Sequence, residues 1–146
     1  AMHTHTIAGM AVSALKCGLL PLTQTATRFY GRIAYHDFRG PERDPAEREA
    51  LARSLGPLNY CILRNHGLLT VGESMAEAFI AMWGLERACQ AQLQAMACNT
   101  ELEMPSPEVV EKSCAMYAPG ASRTYGPLEW QGLMRRIDAV DTSWRD

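Results

Sequence analysis

Two short apolar runs, Tyr60 to Leu63 and Leu68 to Val71, constrain the fold of this chain more than any other feature. The first run lies between Pro57 on one side and Asn65 and Gly67 on the other, residue types that interrupt regular structure. Backbone N–H and C=O groups in an apolar core must be paired in a ladder, so the first run predicts a buried strand and the second a further strand.

A long helix is predicted directly after these runs. Ser74 and Glu77 form a capping box, in which each side chain satisfies a loose N–H group at the helix start, and the helix then extends from about Met75 to Ala97. A mostly apolar stripe recurs along it at three- and four-residue spacing, which predicts a face buried in the core or in a subunit interface. The stripe consists of Phe79, Met82, Trp83, Glu86, Leu93 and Met96.

Further helix signals alternate with strand signals along the chain. Asp44 as N-cap, with Pro45 at the first helical position, predicts a helix that Gly56 closes. Other helices are predicted at Ile7 to Lys16, from Pro107 onward and at Glu129 to about Val140, and another short strand at Ile33 to His36. This mixed order is typical of a layered α/β domain.

Composition narrows the class of protein. The 146 residues carry a net charge of −2, and the 14 basic residues are scattered, so the basic patch of a nucleic-acid binder is missing. No apolar run approaches the roughly 20 residues that span a bilayer, and no secretory signal opens the sequence. The five cysteines are odd in number and include no CxxC pair, which favours free thiols in the reducing cytoplasm.

The histidines are the strongest candidates for chemistry. His3 and His5 stand two residues apart, so an extended backbone would point both imidazoles to one face. His66 follows the first apolar run, where a strand end would hold its position and Gly67 would let the chain turn tightly. Three imidazoles around Zn²⁺ would leave open positions for a ligand, although the same spacing is also compatible with chance or with ordinary hydrogen-bonded histidines.

The sequence HTHT before an Ala-rich segment, and RNHGLLTVGES before the long helix, resemble the class II aldolase/adducin family over roughly residues 1 to 98. This resemblance implies a three-layer α/β/α fold with a central, largely antiparallel sheet. It also implies that His3, His5 and His66 bind a divalent metal, most commonly zinc, with manganese, cobalt or iron as alternatives. Enzymes of the family include sugar-phosphate aldolases, an epimerase, a dehydratase and a decarboxylase, in which the metal stabilises an enediolate or a related anion.

The resemblance also implies how the chain is organised. We expect residues 1–146 to form one domain, the C-terminal portion of a class II aldolase/adducin domain, with residues 99–146 as a helical extension of the same unit. Family members carry an acid/base glutamate about twenty residues upstream of the first histidine, so it is expected upstream of Ala1, and the chain is expected to be a fragment. Asn65 is a candidate for orienting His66, and Tyr35 and His36 are candidates for the substrate side of the site.

Taken together, these features predict a metal-dependent lyase of aldolase type. It would cleave or form a C–C bond next to the carbonyl of a small hydroxy-carbonyl compound, with sugar phosphates among the candidates. By resemblance it would be a homotetramer, with no nucleic-acid or membrane partner. The alternatives are an adducin-like interaction module without catalytic activity, or a metal-binding fragment.

Overall fold

The computed structural model describes residues 1–40, 45–118 and 126–145, which form one sheet of four short strands with helices packed on it. The strands are β1 (Met2–Thr4), β2 (Ile33–His36), β3 (Tyr60–Leu63) and β4 (Gly67–Thr70), and their order in the sheet is β1-β4-β3-β2. Strand β4 pairs antiparallel with both β1 and β3, whereas β2 pairs parallel with β3.

Six α-helices accompany the sheet within these described residues. They are α1 (Ile7–Ser13), α2 (Gln24–Thr27), α3 (Pro45–Leu55), α4 (Met75–Ala97), α5 (Pro107–Ala115) and α6 (Pro127–Asp138), followed by a 3₁₀ turn at Ser143–Arg145. Helices α5 and α6 pack against α2 and α4, respectively. None of these helices combines the length and the apolar character needed to cross a membrane.

Successive side chains of the central strands point to opposite faces of the sheet, so an apolar layer forms on each face. Ile62 and Leu68 face the larger core, which they form with residues of α1, α2 and α4 such as Val12 and Leu85. Cys61, Leu63 and Leu69 point to the opposite face, where Leu51 and Leu55 of α3 cover them. The predicted α/β/α layering with a largely antiparallel sheet is confirmed.

Most predicted elements are present, with differences at their ends. Helix α4 has the predicted bounds, and Ser74 accepts a hydrogen bond from the Glu77 N–H. The second bond of the predicted capping box differs, because the Glu77 carboxylate accepts from the Glu73 N–H rather than from that of Ser74. Helix α1 ends at Ser13 rather than Lys16, because the chain turns there toward Gly18, whose φ of +64° is the left-handed conformation that glycine tolerates. The short helix α2 was not predicted, and the proposed Asp44 cap lies outside the described residues.

The predicted apolar stripe on α4 is only partly the buried face. Met82 is buried, but Trp83 is 58% exposed and Met96 is 40% exposed. More than half of the buried residues of the helix are small, namely Ala78, Ala81, Gly84, Ala88 and Cys89, and the larger ones are Ile80, Met82, Leu85 and Gln92. Alanine carries little weight in a hydrophobic pattern, so the large side chains of Phe79 and Trp83 shifted the predicted face around the helix.

Gln92 is the polar residue in this buried face, and it ties α4 to the loop after α1. Its side-chain Oε1 accepts a hydrogen bond from the Leu20 N–H at 2.7 Å, and its Nε2 donates to the Gly18 carbonyl oxygen at 2.8 Å. Both partners are backbone groups, which are costly to leave unsatisfied inside a protein. Gln92 therefore fixes the path of the chain between α1 and α2.

We expect Gln92→Leu to lower the free energy of unfolding by about 2–3 kcal/mol, because it preserves side-chain volume but leaves two buried backbone groups without partners. Gln94→Leu is the matched control, since Gln94 lies on the same helix with its side chain exposed, and it should change stability by less than about 0.5 kcal/mol. Urea denaturation of both variants measures the difference. Equal stabilities would show that Gln92 does not hold this loop.

Candidate metal centre

The pairing of β1 with β4 brings the two ends of the histidine pattern together. In the register of these strands His3 lies opposite Leu69 and Thr4 opposite Leu68, so the chain leaves β1 beside the turn that precedes β4. His66 occupies that turn, between β3 and β4. His3 and His5 are thereby placed next to a residue more than sixty positions away in sequence.

The three imidazole rings each point their Nε2 atom toward the others. The Nε2 atoms of His3 and His5 are 2.8 Å apart, and those of His5 and His66 are also 2.8 Å apart. Among the described residues these three histidines are the group whose ligand atoms could share one metal ion, with all of them within 4.8 Å of one another. Two imidazole nitrogens bound to one tetrahedral zinc lie roughly 3.3 Å apart, so a small outward shift of the rings would accommodate the ion.

The hydrogen bonding of His3 determines which ring nitrogen faces the cluster with a lone pair. Its Nδ1 lies 2.8 Å from the Leu68 carbonyl oxygen, which can only accept, so Nδ1 carries the proton and Nε2 of the neutral ring does not. A single hydrogen on the Nε2 of His5 can point at only one of its two neighbours. Neutral imidazoles therefore cannot satisfy both contacts, whereas a cation would accept all three lone pairs. The donor set fits a divalent metal.

Hydrogen bonds from the backbone of the turn to Ser13 hold His66 in place. Its N–H lies 3.1 Å from the Ser13 Oγ, which in turn donates to the Met10 carbonyl oxygen at 2.7 Å. Asn65 has φ of +55°, and its N–H donates to the Ser13 carbonyl oxygen at 3.3 Å. The side chain of Asn65 is exposed, and its backbone supports the turn, while the predicted role of its side chain in orienting His66 stays a prediction.

Gly67 allows the two strands to approach each other at the cluster. A Cβ atom at this position would overlap the Thr4 carbonyl oxygen and would lie 3.3 Å from the His5 ring carbon Cδ2. Only a residue without a side chain fits between the end of β1 and the start of β4. The glycine of the NHG motif is thus required for close packing around the histidines rather than for an unusual backbone angle.

Helix α4 anchors the segment that carries His3 and His5. Thr4 donates from Oγ1 to the Met82 sulfur at 3.2 Å, and Thr6 donates from its hydroxyl to the Glu86 carboxylate. Thr6 stands at the N-cap of α1, yet its side chain makes no capping bond and contacts α4 instead. These contacts were not predicted, because nothing in the spacing of two threonines near the start of the chain points to a distant helix.

No thiol belongs to the group of candidate ligand atoms found among the described residues, which consists of the three histidines. Burial raises the pKa of the Cys61 thiol to about 11. Burial, reinforced by the nearby Glu86 carboxylate, raises the pKa of the Cys89 thiol to about 12. Both thiols stay protonated at neutral pH, whereas a metal requires the thiolate form. All five cysteines are free, as predicted.

His36 lies in a different environment from the one predicted. It is 4% exposed, and its Nδ1 lies 2.9 Å from the Ser54 Oγ while its Nε2 lies 2.6 Å from Glu47 Oε1. Both partners belong to α3, so His36 fastens that helix to the sheet through both of its ring nitrogens. The two partners of the His36 side chain are 11 and 18 positions away in sequence, so a local motif could not have predicted these hydrogen bonds.

Tyr35 points to the other side of β2 and is partly exposed. Its hydroxyl oxygen accepts a hydrogen bond from the Leu19 N–H at 3.2 Å. The Arg64 guanidinium stacks on its ring, with the guanidinium carbon 4.2 Å from the ring centre. Tyr35 therefore contacts the turn that carries His66 through Arg64.

Most of the chain matches a known protein family. The profile described as Class II Aldolase and Adducin N-terminal domain matches residues 1–93. The chain belongs to the class II aldolase and adducin family. The match includes β1 with its two histidines, the turn with His66 and most of α4.

Two curated relatives illustrate the range of this family. A Caulobacter vibrioides protein with a provisional aldolase class 2 name is 37% identical over 145 residues, which cover 99% of this chain and 56% of that protein. Alpha-adducin of Rattus norvegicus is 39% identical over 150 residues, which cover 94% of this chain and 20% of the adducin. The chain thus spans little more than half the length of the bacterial relative.

Solved structures of the family have the same fold. An aldolase II superfamily protein from Pseudomonas syringae is 42% identical and aligns with a TM-score of 0.87 over 99% of this chain and 58% of its own. L-fuculose 1-phosphate aldolase from Glaciozyma antarctica is 30% identical, with a TM-score of 0.66 over 77% of this chain and 42% of its own. These similarities confirm the class II aldolase fold.

We expect Gly67→Ala to weaken zinc binding by at least tenfold, because the new methyl group forces the Thr4 carbonyl and the His5 ring away from β4. Equilibrium dialysis with a chromogenic chelator measures the affinity. Gly132→Ala is the matched control, since the nearest atom to its new Cβ is the end of the Arg135 side chain at 3.9 Å, and it should leave zinc affinity unchanged. Unchanged affinity in Gly67→Ala would show that this close approach does not shape the cluster.

We expect His36→Ala to destabilise the metal-free protein by about 2–4 kcal/mol, because it leaves a cavity and removes the partner of the Glu47 carboxylate. His5→Ala, which removes an exposed histidine, should cost less than about 0.5 kcal/mol under the same conditions. Denaturant titration compares the two. Native stability in His36→Ala would contradict its role in fastening α3.

Proposed function

We propose that His3, His5 and His66 hold a divalent cation and that the protein is a metal-dependent lyase of aldolase type. The substrate would be a small hydroxy-carbonyl compound, cleaved reversibly at the C–C bond next to its carbonyl. The observation that carries this proposal is the convergence of three Nε2 atoms, two pairs of them 2.8 Å apart. A protein that only binds partners has no physical need for such an arrangement.

A cation bound to three neutral nitrogen ligands keeps positions open and supplies Lewis-acid chemistry, polarising a carbonyl group. Zinc is the proposed metal, because it binds imidazole ligands well. Manganese, cobalt and iron are the alternatives, and the metal available in the cell would decide among them. Support for the aldolase class comes from the structural similarity to L-fuculose 1-phosphate aldolase, which is 30% identical.

The residues of this chain would bind and orient rather than transfer the proton. The bond from His3 Nδ1 to the Leu68 carbonyl fixes the ring that presents Nε2, and Ser13 fixes the backbone of His66. The Phe38 ring lies 6.2 Å from the His66 ring, centre to centre, and would limit the access of water on that side. For the proton, the resemblance implies a glutamate upstream of Ala1, and we retain it as the proposed acid/base group.

An adducin-like interaction module is the second candidate, favoured by the 39% identity to alpha-adducin over 94% of this chain. A homotetramer is part of the proposal for either function, and a cytoplasmic location accords with the free cysteines. The two functions differ in what the metal-loaded protein does to small molecules. Turnover of any compound in a panel of hydroxy-aldehydes, hydroxy-ketones and their phosphates supports the lyase, whereas inactivity across the panel supports the interaction module.

We expect about one equivalent of divalent metal per chain after reconstitution, and its loss in His66→Ala. Removing one of three ligands leaves two imidazoles, too few to hold the ion against a competing chelator. His36→Gln is the matched control, since this histidine lies outside the cluster, and it should keep the metal. Elemental analysis after gel filtration gives the stoichiometry, and stoichiometric metal in His66→Ala would refute the assigned ligands.

A further inference from the structure

A shallow polar cavity of about 540 Å³, wide open to solvent, lies beside the candidate metal centre and is not lined by the three histidines. Its walls come from the end of α1, the segment after β2 and the turn after β3. The residues that matter for its chemistry are Ser13, Lys16, Asp37, Phe38, Arg64 and Asn65. Two cations and one carboxylate therefore line a space large enough for a small metabolite.

Three contacts place this cavity next to the histidines. Ser13 lines it and also binds the His66 N–H. Phe38 lines it and contacts the His66 ring. Asn65 lines it and directly precedes His66 in the turn. A ligand held at the metal centre by one end would therefore have this cavity within reach of its other end.

Arg64 is held in a fixed orientation at the wall of the cavity. Its Nη1 donates to the Leu15 carbonyl oxygen at 2.6 Å, while its guanidinium plane rests on the Tyr35 ring. Tyr35 is itself fixed through its hydroxyl by the Leu19 N–H. A guanidinium carries five N–H groups, so the bond to Leu15 leaves donors for a ligand, and its planar shape matches a carboxylate.

The charge of the cavity favours a singly charged anion. Lys16 and Arg64 contribute two positive charges and Asp37 one negative charge, which leaves a net charge of +1. This balances one carboxylate, whereas a phosphate dianion would exceed it. The Asp37 carboxylate can accept hydrogen bonds from hydroxyl groups, which a sugar-like chain between the two ends of a ligand would provide.

We propose that Arg64, assisted by Lys16, forms a carboxylate subsite and that the substrate is a hydroxy-carbonyl compound bearing a carboxylate at its far end, as in a sugar acid. This inference rests on the proposed function, because it assumes that the carbonyl end binds at the three histidines. Arg64 is then the residue that determines specificity, while the histidines hold the metal.

D-fructose and D-fructuronate are suitable probes, because they differ only in the terminal group, a hydroxymethyl in the first and a carboxylate in the second. We expect the cobalt-loaded full chain to bind fructuronate at least tenfold more tightly than fructose, as a charge-assisted hydrogen bond to a carboxylate predicts. Titration followed by the visible absorption of the cobalt measures both affinities. Arg64→Gln should reduce the preference to less than twofold, and Lys16→Gln should reduce it about threefold.

Arg53→Gln is the matched control, because this arginine on α3 is exposed and pairs with Glu49, and the variant removes the same charge without altering the preference. Lys16 is also exposed, so its variant tests the subsite even where Arg64→Gln perturbs the fold. Equal affinity for the two probes, or a preference that survives in both variants, would overturn the subsite while leaving the metal centre intact. Failure of the wild-type chain to bind cobalt would instead overturn the proposed function and the subsite with it.

Discussion

The antiparallel pairing of β1 with β4 is the contact on which the candidate site depends. Only three residues of β1 take part, Met2 to Thr4, and they meet a strand more than sixty positions away. The side chain of His3 adds a hydrogen bond to the Leu68 carbonyl across the same pair of strands. A candidate metal ligand thus contributes to the strand pairing that positions it, so disrupting this short pairing would separate the three histidines as well.

Helix α4 compensates for the shortness of β1. A strand with three paired residues gains little from its backbone hydrogen bonds alone, each of which contributes about 1 kcal/mol net. Thr4 and Thr6 add contacts from this segment to Met82 and Glu86 of α4, and α1 packs on the same helix. Helix α4 therefore supports both the sheet and the segment that carries His3 and His5.

Local features of the sequence predicted much of the fold, because they act within one element. The capping box at Ser74 and the apolar runs at β3 and β4 depend on near neighbours only. The environment of His36 could not be predicted, since it depends on how α3 lies over the sheet. Which side of α4 is buried was also mispredicted. It depends on where small residues allow close packing, and the hydrophobicity of the side chains does not reveal those positions. The three histidines were identified from a sequence motif. How closely their rings approach one another became visible only with the pairing of β1 and β4.

The turn between β3 and β4 combines two kinds of chemistry on one short and well-fixed segment. Arg64 and His66 are separated by a single residue, and both are tied to the end of α1, through Leu15 and Ser13 respectively. On the proposed function, these two bonds would restrict the distance between a cation at the histidines and the guanidinium. A ligand that bridges the two positive centres must have its carbonyl and its anionic group at a matching separation. On the proposed function, this short turn, RNHG in the sequence, would select the length of the substrate as well as its charge.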